Sequence, residues 1–325
     1  MGTEGQKFIP RWYRAQRSHS VARVARQPHP GPVARRRYEG TVECQLSRGE
    51  NIGIRSRLFL VIVVLALAHC SSQQRIEAET LAAKTFISDE DENQLGLQVK
   101  QELEQQQDIR YIKDPVIADY VRGVGDRIFQ FASKERPNLN WQLQVIDDPK
   151  TVNAFATPGA YVYVYSGLLI AAENEAELAG VLAHESGHVV ARHSARNMID
   201  AYGLEAVTAL ALGKNPSLLT AVATSIAAKG SLLAHSRSDE NEADEYGARY
   251  SSMAGYDPHG LVTFFQKLQA KEGNSSQLMK WLSDHPATPD RIAHVTHYIV
   301  EHHLTGSDIG AERLAPIKHR LSTLH

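Results

Sequence analysis

ELAGVLAHESGHVVARHSARN, residues 177–197, sets two histidines four positions apart inside an Ala- and Leu-rich run that Gly167 opens and that reads as helix to about Asn197. On a helix each residue turns about 100°, so His184 and His188 stand only about 40° apart on neighbouring turns and both imidazoles reach one ion. Glu185 projects about 100° from His184, beside such an ion without having to bind it, which suits a carboxylate that takes a proton from water. With 15 His in 325 residues, such a pentapeptide arises by chance in about one chain in twenty-five, so context decides. Glu177 set against Leu178, Val181 and Leu182 gives the preceding turns a polar and an apolar side, which puts the motif mid-helix and favours a metal site.

A catalytic zinc site takes three protein ligands and keeps one position for water, so a third ligand has to come from elsewhere in the chain. His193 is nearest in sequence. Nine residues after His184, however, it faces about 180° away on the same helix, and Ala191 stands where three-histidine proteases need Gly to turn the chain. It reads as a surface histidine, or as one that touches a ligand and not the ion. Glu240 fits better, in Ser238-Asp239-Glu240-Asn241-Glu242-Ala243-Asp244, where a second helix begins. Glu240 and Asp244 are i and i+4 and share a face, so Glu240 can bind the ion while Asp244 accepts a hydrogen bond from a ligand imidazole and fixes its tautomer. Alone, this acidic cluster would be a solvated helix start. Beside HESGH it completes a site for one Zn2+ per chain.

Working outward, residues 93–108 read as a polar helix, and Asp114 with Pro115 supplies an N-cap and first-turn pair. Ile117, Val121, Val124, Ile128 and Ala132 then recur at helical spacing and mark an amphipathic helix. Trp141 to Asp147 alternates, with Trp141, Leu143 and Val145 against Gln142 and Gln144, as a half-buried strand does. A second strand, Tyr161-Val162-Tyr163-Val164-Tyr165, follows the turn Thr157-Pro158-Gly159 and reads either as buried sheet or as an exposed edge that an extended chain could join. Between Leu204 and Leu233, the interruptions at Gly213, Pro216 and Lys229 leave no apolar run of about 18 residues, so packed helices are expected. With no repeat, the order is helix, strand, strand, helix and then mostly helices, an α+β domain over residues 93–325.

The net charge of −2 hides an uneven layout, with +6 on residues 1–50 and −8 on the rest. Residues 1–50, with Arg35, Arg36 and Arg37 among Pro, Gly and Ser, read as a disordered basic leader or, being Arg-rich and acid-poor, as an organelle transit peptide. Leu58 to Ala68 is continuously apolar after Arg55 and Arg57, so residues 51–70 have the layout of a secretory signal and are too short to span a bilayer comfortably. Cys70 sits where bacterial lipoproteins carry their acylated cysteine; Ser71 and Ser72 suit such a site and His69 does not. The chain is thus expected to reach the membrane through an N-terminal anchor or an acylated Cys70, followed by a linker over residues 71–92. Residues 71–325 carry −10, which argues against nucleic acid as a partner, and contain no cysteine pair for an internal disulfide.

The stretch from Asn153 to Asn197, the spacing of Glu240 to Asp244, and the late His285, Pro286, Asp290 and Arg291 resemble, in this order, the motifs of metallopeptidase family forty-eight. This gluzincin family includes HtpX, BepA, LoiP and the CAAX prenyl proteases; the likeness covers residues 90–300 and is greatest to exported bacterial members such as BepA and LoiP. It implies a zincin-like metalloprotease domain, mostly helical, with a small sheet whose edge strand borders the active site. It implies His184, His188 and Glu240 as zinc ligands, Glu185 as general base, and Asp244 behind a ligand. His285 and Arg291 correspond to a mobile loop over the metal, where in that family such a histidine can approach the zinc and such an arginine stands near the active site. Both therefore join Glu185 as candidate catalytic residues, although from sequence alone His285 reads equally as a polar residue flanking a helix. The family also favours the edge reading of Tyr161, Val162 and Tyr163, on which a polypeptide substrate would pair through its main chain. The implied activity is hydrolysis of peptide bonds in unfolded or misfolded proteins, as protein quality control on the periplasmic side of the cell envelope. If residues 1–68 are transit and anchor, the location becomes an organelle inner membrane. A chaperone-like binding protein on the same fold is the alternative of a different class, against which the intact HESGH speaks.

Overall fold

The structure, a computed structural model, describes residues 87–229, 235–271, 284–286 and 288–324. The basic leader, the signal-like segment with Cys70 and most of the expected linker lie outside the described residues. Helix α1, Asp89–Gln105, starts ahead of the expected boundary because Ser88 and Asp91 cap each other reciprocally, each side chain accepting from the other's N–H. Helix α2, Pro115–Glu135, begins as the sequence anticipates: Asp114 accepts from the N–H groups of Val116 and Ile117, and Pro115 sits in the first turn. Its stripe of Ile117, Val121, Val124, Ile128 and Ala132 is buried throughout.

Three strands follow: β1, Gln142–Ile146, β2, Ala154–Thr157, and β3, Tyr161–Tyr165. Their spatial order is β1-β3-β2, with β3 parallel to β1 and antiparallel to β2. This corrects the edge reading of Tyr161, Val162 and Tyr163: β3 is the middle strand, hydrogen-bonded on both sides and wholly buried. The reason is the hairpin through Pro158, Gly159 and Ala160, which folds β3 back into the place between β1 and β2. Gly159, at φ 78°, makes that turn where a Cβ would lie 2.6 Å from the Glu92 carbonyl oxygen. A strand covered on both faces reads as an unbroken apolar run, and YVYVY is one. Val162 and Val164 join α2 in one core, while Tyr161, Tyr163 and Tyr165 meet Leu95, Val99 and Leu103 of α1 in a second.

The run expected as one helix from Gly167 to about Asn197 is three helices. Helix α3, Ser166–Ala171, stops at Ala172, and Asn174 then caps α4, Glu175–Val190, by accepting from the Glu177 N–H. Arg192, left-handed at φ 62°, separates α4 from α5, His193–Tyr202. That conformation is disfavoured for an arginine. A hydrogen bond to the Ile87 carbonyl at 2.6 Å and ion pairs to Glu92 at 2.9 Å and to Asp89 hold it. Helices α6, Leu204–Ala211, and α7, Pro216–Lys229, bury Val207, Leu210, Val222 and Ile226 in the second core. Among the described residues no helix is long and apolar enough to cross a membrane. Helix α8, Arg237–Met253, packs along α4. Helices α9, Gly260–Lys271, and α11, Ala311–Ser322, add Phe264, Phe265 and Leu321 to the first core, while α10, Pro289–Glu301, packs Val295 and Ile299 near Ala248 of α8. The domain is α+β and mostly helical, as expected.

Candidate metal centre

The centre lies where α4 and α8 cross. Every residue of α4 is buried, so its polar side chains can only face partners that the fold supplies. Helix α8 is started by a capping box in which Ser236 and Asp239 accept from each other's N–H, and this sets Glu240 and Asp244 one turn apart on the side facing α4. Gly187 is the contact point of the two helices. A Cβ there would lie 2.7 Å from the Tyr246 Cβ and 3.0 Å from the Ala243 Cα, so only glycine permits the approach that brings Glu240 to the two histidines.

Four buried donors converge at that crossing: His184, His188, Glu240 and His285. The Nε2 atoms of His184 and His188 are 3.0 Å apart, and the Glu240 carboxylate lies 3.6 Å from the first and 3.5 Å from the second. His285 Nδ1 is 3.3 Å from His184 Nε2 and 3.0 Å from Glu240 Oε1. Donors about 2.0–2.1 Å from a tetrahedral ion stand about 3.3 Å from one another, so these separations fit zinc. The protons agree. His184 Nδ1 lies 2.9 Å from Asp244 Oδ1, which can only accept; the ring proton therefore belongs on Nδ1, and a bare Nε2 faces the equally turned Nε2 of His188. With the proton of His188 on its Nδ1 as well, two lone pairs would meet across 3.0 Å, an arrangement that a cation between them would stabilise.

Burial pushes both His184 and His188 below the ordinary histidine value, which keeps them neutral and able to ligate. Burial opposes the charge of Glu240 as well, but His285, Arg291 and His184 outweigh it and hold its carboxyl far below the usual range. His285 would be lowered by burial, yet the carboxylates of Glu240 and Glu185 raise it to about 9. Glu185, buried and 3.6 Å from His285 Nε2, is pushed up to about 8 chiefly by desolvation. His285 is buried within the cluster, paired with Glu240 and Glu185, and is not a polar residue on the flank of a helix.

Arg291, at the start of α10, is tied to the two carboxylates of α8. Its Nε and Nη2 donate to the two oxygens of Asp244 at 2.8 and 2.7 Å, and Nη1 donates to the Pro286 carbonyl at 3.0 Å and lies 2.7 Å from Glu240 Oε2. It clamps the two carboxylates of α8 with donors that are already engaged. Of the two readings of His193, the one that has it touch a ligand holds, and the surface one does not. Because Arg192 turns the chain, His193 returns to the centre, fully buried, with Nδ1 2.7 Å from His188 Nδ1. His235 went unnoticed; its ring stacks on His188 at 3.9 Å between centroids, and nothing in its local sequence signals this.

The strand bordering the site is β2. Tyr165 N–H donates to the Asn153 carbonyl, which fixes the phase of the ladder: Phe155 and Thr157 pair with β3, while the main-chain groups of Ala154 and Ala156 point away from it. The N–H of Ala156 accordingly reaches the Glu185 carboxylate, and its carbonyl accepts from Ser194 Oγ at 3.3 Å. Asn153 Nδ2 donates to Asp284, the neighbour of His285, at 3.1 Å.

Comparison with known proteins agrees with this geometry. The model of Peptidase family M48 matches residues 117–299. "Mitochondrial metalloendopeptidase OMA1" of Schizosaccharomyces pombe is 35% identical over 182 residues, 56% of this chain and 53% of its own length. "Putative beta-barrel assembly-enhancing protease" of Vibrio cholerae is 35% identical over 192 residues, 56% of this chain and 39% of its own. "Metalloprotease LoiP" of Escherichia coli is 29% identical over 253 residues, 74% of this chain and 95% of its own. The match spans about half the length of the first of these and less of the second. With more than half of its residues matched by the family model and with HESGH and Glu240 meeting at one buried point, the chain belongs to Peptidase family M48, a family of metallopeptidases.

Proposed function

We propose that this protein is a zinc-dependent metalloendopeptidase that cuts unfolded or misfolded polypeptides in protein quality control. In this reading His184, His188 and Glu240 hold one zinc ion and Glu185 is the general base. The observation that carries it is the quartet of buried donors at tetrahedral spacing with a buried carboxyl alongside. Zinc held there supplies Lewis acidity to the scissile carbonyl and to the attacking water. Glu185, buried beside the donor cluster, is placed to take a proton from that water and to give it to the leaving amine, so the C–N bond breaks with Glu185 restored. Asp244 fixes the His184 tautomer, and Arg291 holds Asp244 and Glu240 in place.

We assign the pairing role expected of β3 to β2, the edge strand, where a substrate would take over the bonds that Ala156 makes to Glu185 and Ser194. Pairing through the main chain makes little demand on substrate sequence, which suits broad specificity. His285 fills the fourth corner of the donor cluster, so it has to withdraw before water and substrate enter.

Casein hydrolysis by the wild type and by Glu185→Gln, each assayed for bound zinc, tests the assignment. Equal zinc with hydrolysis reduced at least about 100-fold is expected. A variant that keeps both its zinc and the wild-type rate removes Glu185 from the mechanism.

The location we assign is the periplasmic side of the cell envelope, through an N-terminal anchor or an acylated Cys70. Similarity to a mitochondrial metalloendopeptidase supports an organelle as a second reading, with residues 1–68 as transit and anchor sequence to its inner membrane. Sequencing the mature N-terminus and testing Cys70 for acyl chains separates them: an acylated Cys70 at the N-terminus means the envelope.

A further inference from the structure

His188 turns Nε2 toward the donor cluster and Nδ1 toward His193 Nδ1, 2.7 Å away. The other nitrogen of His193, Nε2, lies 3.2 Å from Glu242 Oε2. A carboxylate only accepts, so His193 Nε2 carries the proton of that bond; its Nδ1 is then bare and accepts from the Nδ1–H of His188. With both rings neutral, this is the one proton arrangement that satisfies both bonds, and it leaves the Nε2 lone pair of His188 directed into the cluster.

We propose that His193 and Glu242 are positioning residues for the metal: through two successive hydrogen bonds they fix His188 in the tautomer that can ligate zinc and raise the basicity of its Nε2. The inference rests on His188 being a zinc ligand, as argued above. His184 receives the same support directly from Asp244, a buried carboxylate held by Arg291. The arrangement behind His188 is longer and ends on a side chain that is 48% exposed, so its outer end can be changed without opening the core. What makes it possible is Arg192: the left-handed residue ends α4 and restarts the chain as α5 with His193 facing back. A second ion among His188, His193 and His235, whose ligand atoms also cluster, fits less well. Two nitrogens on one ion would stand about 3.3 Å apart, whereas 2.7 Å is a hydrogen-bond length.

Zinc dissociation constants measured by chelator competition on the full chain, with melting temperatures of the metal-free proteins, test this. His193→Leu removes the acceptor and is expected to weaken zinc about 10- to 100-fold. His193→Gln, whose amide oxygen can accept from the Nδ1–H, is expected to recover most of that loss. Glu242→Leu is expected to weaken zinc about 3- to 10-fold with an unchanged metal-free melting temperature. If Glu242→Leu leaves affinity unchanged, or if the two His193 variants lose it equally, the proposal is overturned while the metal centre stands. Two zinc ions per wild-type chain, one of them lost in His193→Leu, would overturn it by making His193 a ligand. A wild-type chain that binds no zinc overturns it together with the proposed function.

Discussion

Arg291 neutralises two carboxylates at once, bidentate on Asp244 and 2.7 Å from Glu240, at 4% exposure. Removing one partner of such a buried set leaves charge without compensation, so Arg291→Met is expected to cost about 3–5 kcal/mol of folding stability. Thermal unfolding reads this directly, and a melting temperature equal to wild type would return Arg291 to a role toward substrate alone. His285 raises a different question, because its Nδ1 occupies the corner that a catalytic centre keeps for water. In the proposed centre, His285→Ala keeps His184, His188 and Glu240 as ligands and frees that corner. The variant is therefore expected to retain zinc and to hydrolyse casein faster than wild type; a fall in rate with zinc still bound would make His285 part of the chemistry.

The crossing of α4 and α8 turns on Gly187. Glycine inside a helix is ordinarily worse than alanine by about 1 kcal/mol, so on propensity alone Gly187→Ala should stabilise the protein. The added Cβ, however, would fall 2.7 Å from the Tyr246 Cβ and 3.0 Å from the Ala243 Cα, against rigid atoms. The helices must part, and the variant is expected to lose about 1–3 kcal/mol and to bind zinc more weakly, since Glu240 moves with α8. Calorimetry on both proteins decides the sign. What could be read beforehand at this scale was whatever depends on short-range period: the stripe of α2, the strand alternation of β1, HESGH on a helix and Glu240 at the start of another. Strand order was not legible, because YVYVY is the same string whether it lies at an edge or between β1 and β2, and the hairpin decides. The break at Arg192 was illegible for a related reason. An arginine carries no turn signal, and the partners that hold it there, Asp89 and Glu92, lie about a hundred residues away in the chain.

Across the whole domain, distant segments are tied together by Glu175 at the start of α4. Its carboxylate accepts from Tyr120 at 2.8 Å, Tyr256 at 2.7 Å and Arg313 at 2.7 and 3.0 Å, linking α2, the segment after α8, and α11. Burial alone would raise its pKa, but the bonds from Arg313, Tyr256 and Tyr120 outweigh that and hold it below the ordinary carboxylate value. A depressed folded pKa contributes stability above the unfolded value, about 4.3, and loses it as the pH falls through the folded one. The stability gap between wild type and Glu175→Gln should accordingly be full at neutral pH, about 3 kcal/mol, and shrink once the pH drops below about 4. Denaturant titrations across that range check it, and a gap constant with pH would mean that the charge contributes nothing. The same framework holds α4 and α8 where one ion can join them, and the most direct test of that claim is an anomalous difference map at the zinc edge. A single peak is expected about 2.0–2.2 Å from His184 Nε2, His188 Nε2 and a Glu240 oxygen. A peak that leaves out Glu240, or no peak at the crossing of the two helices, would contradict it.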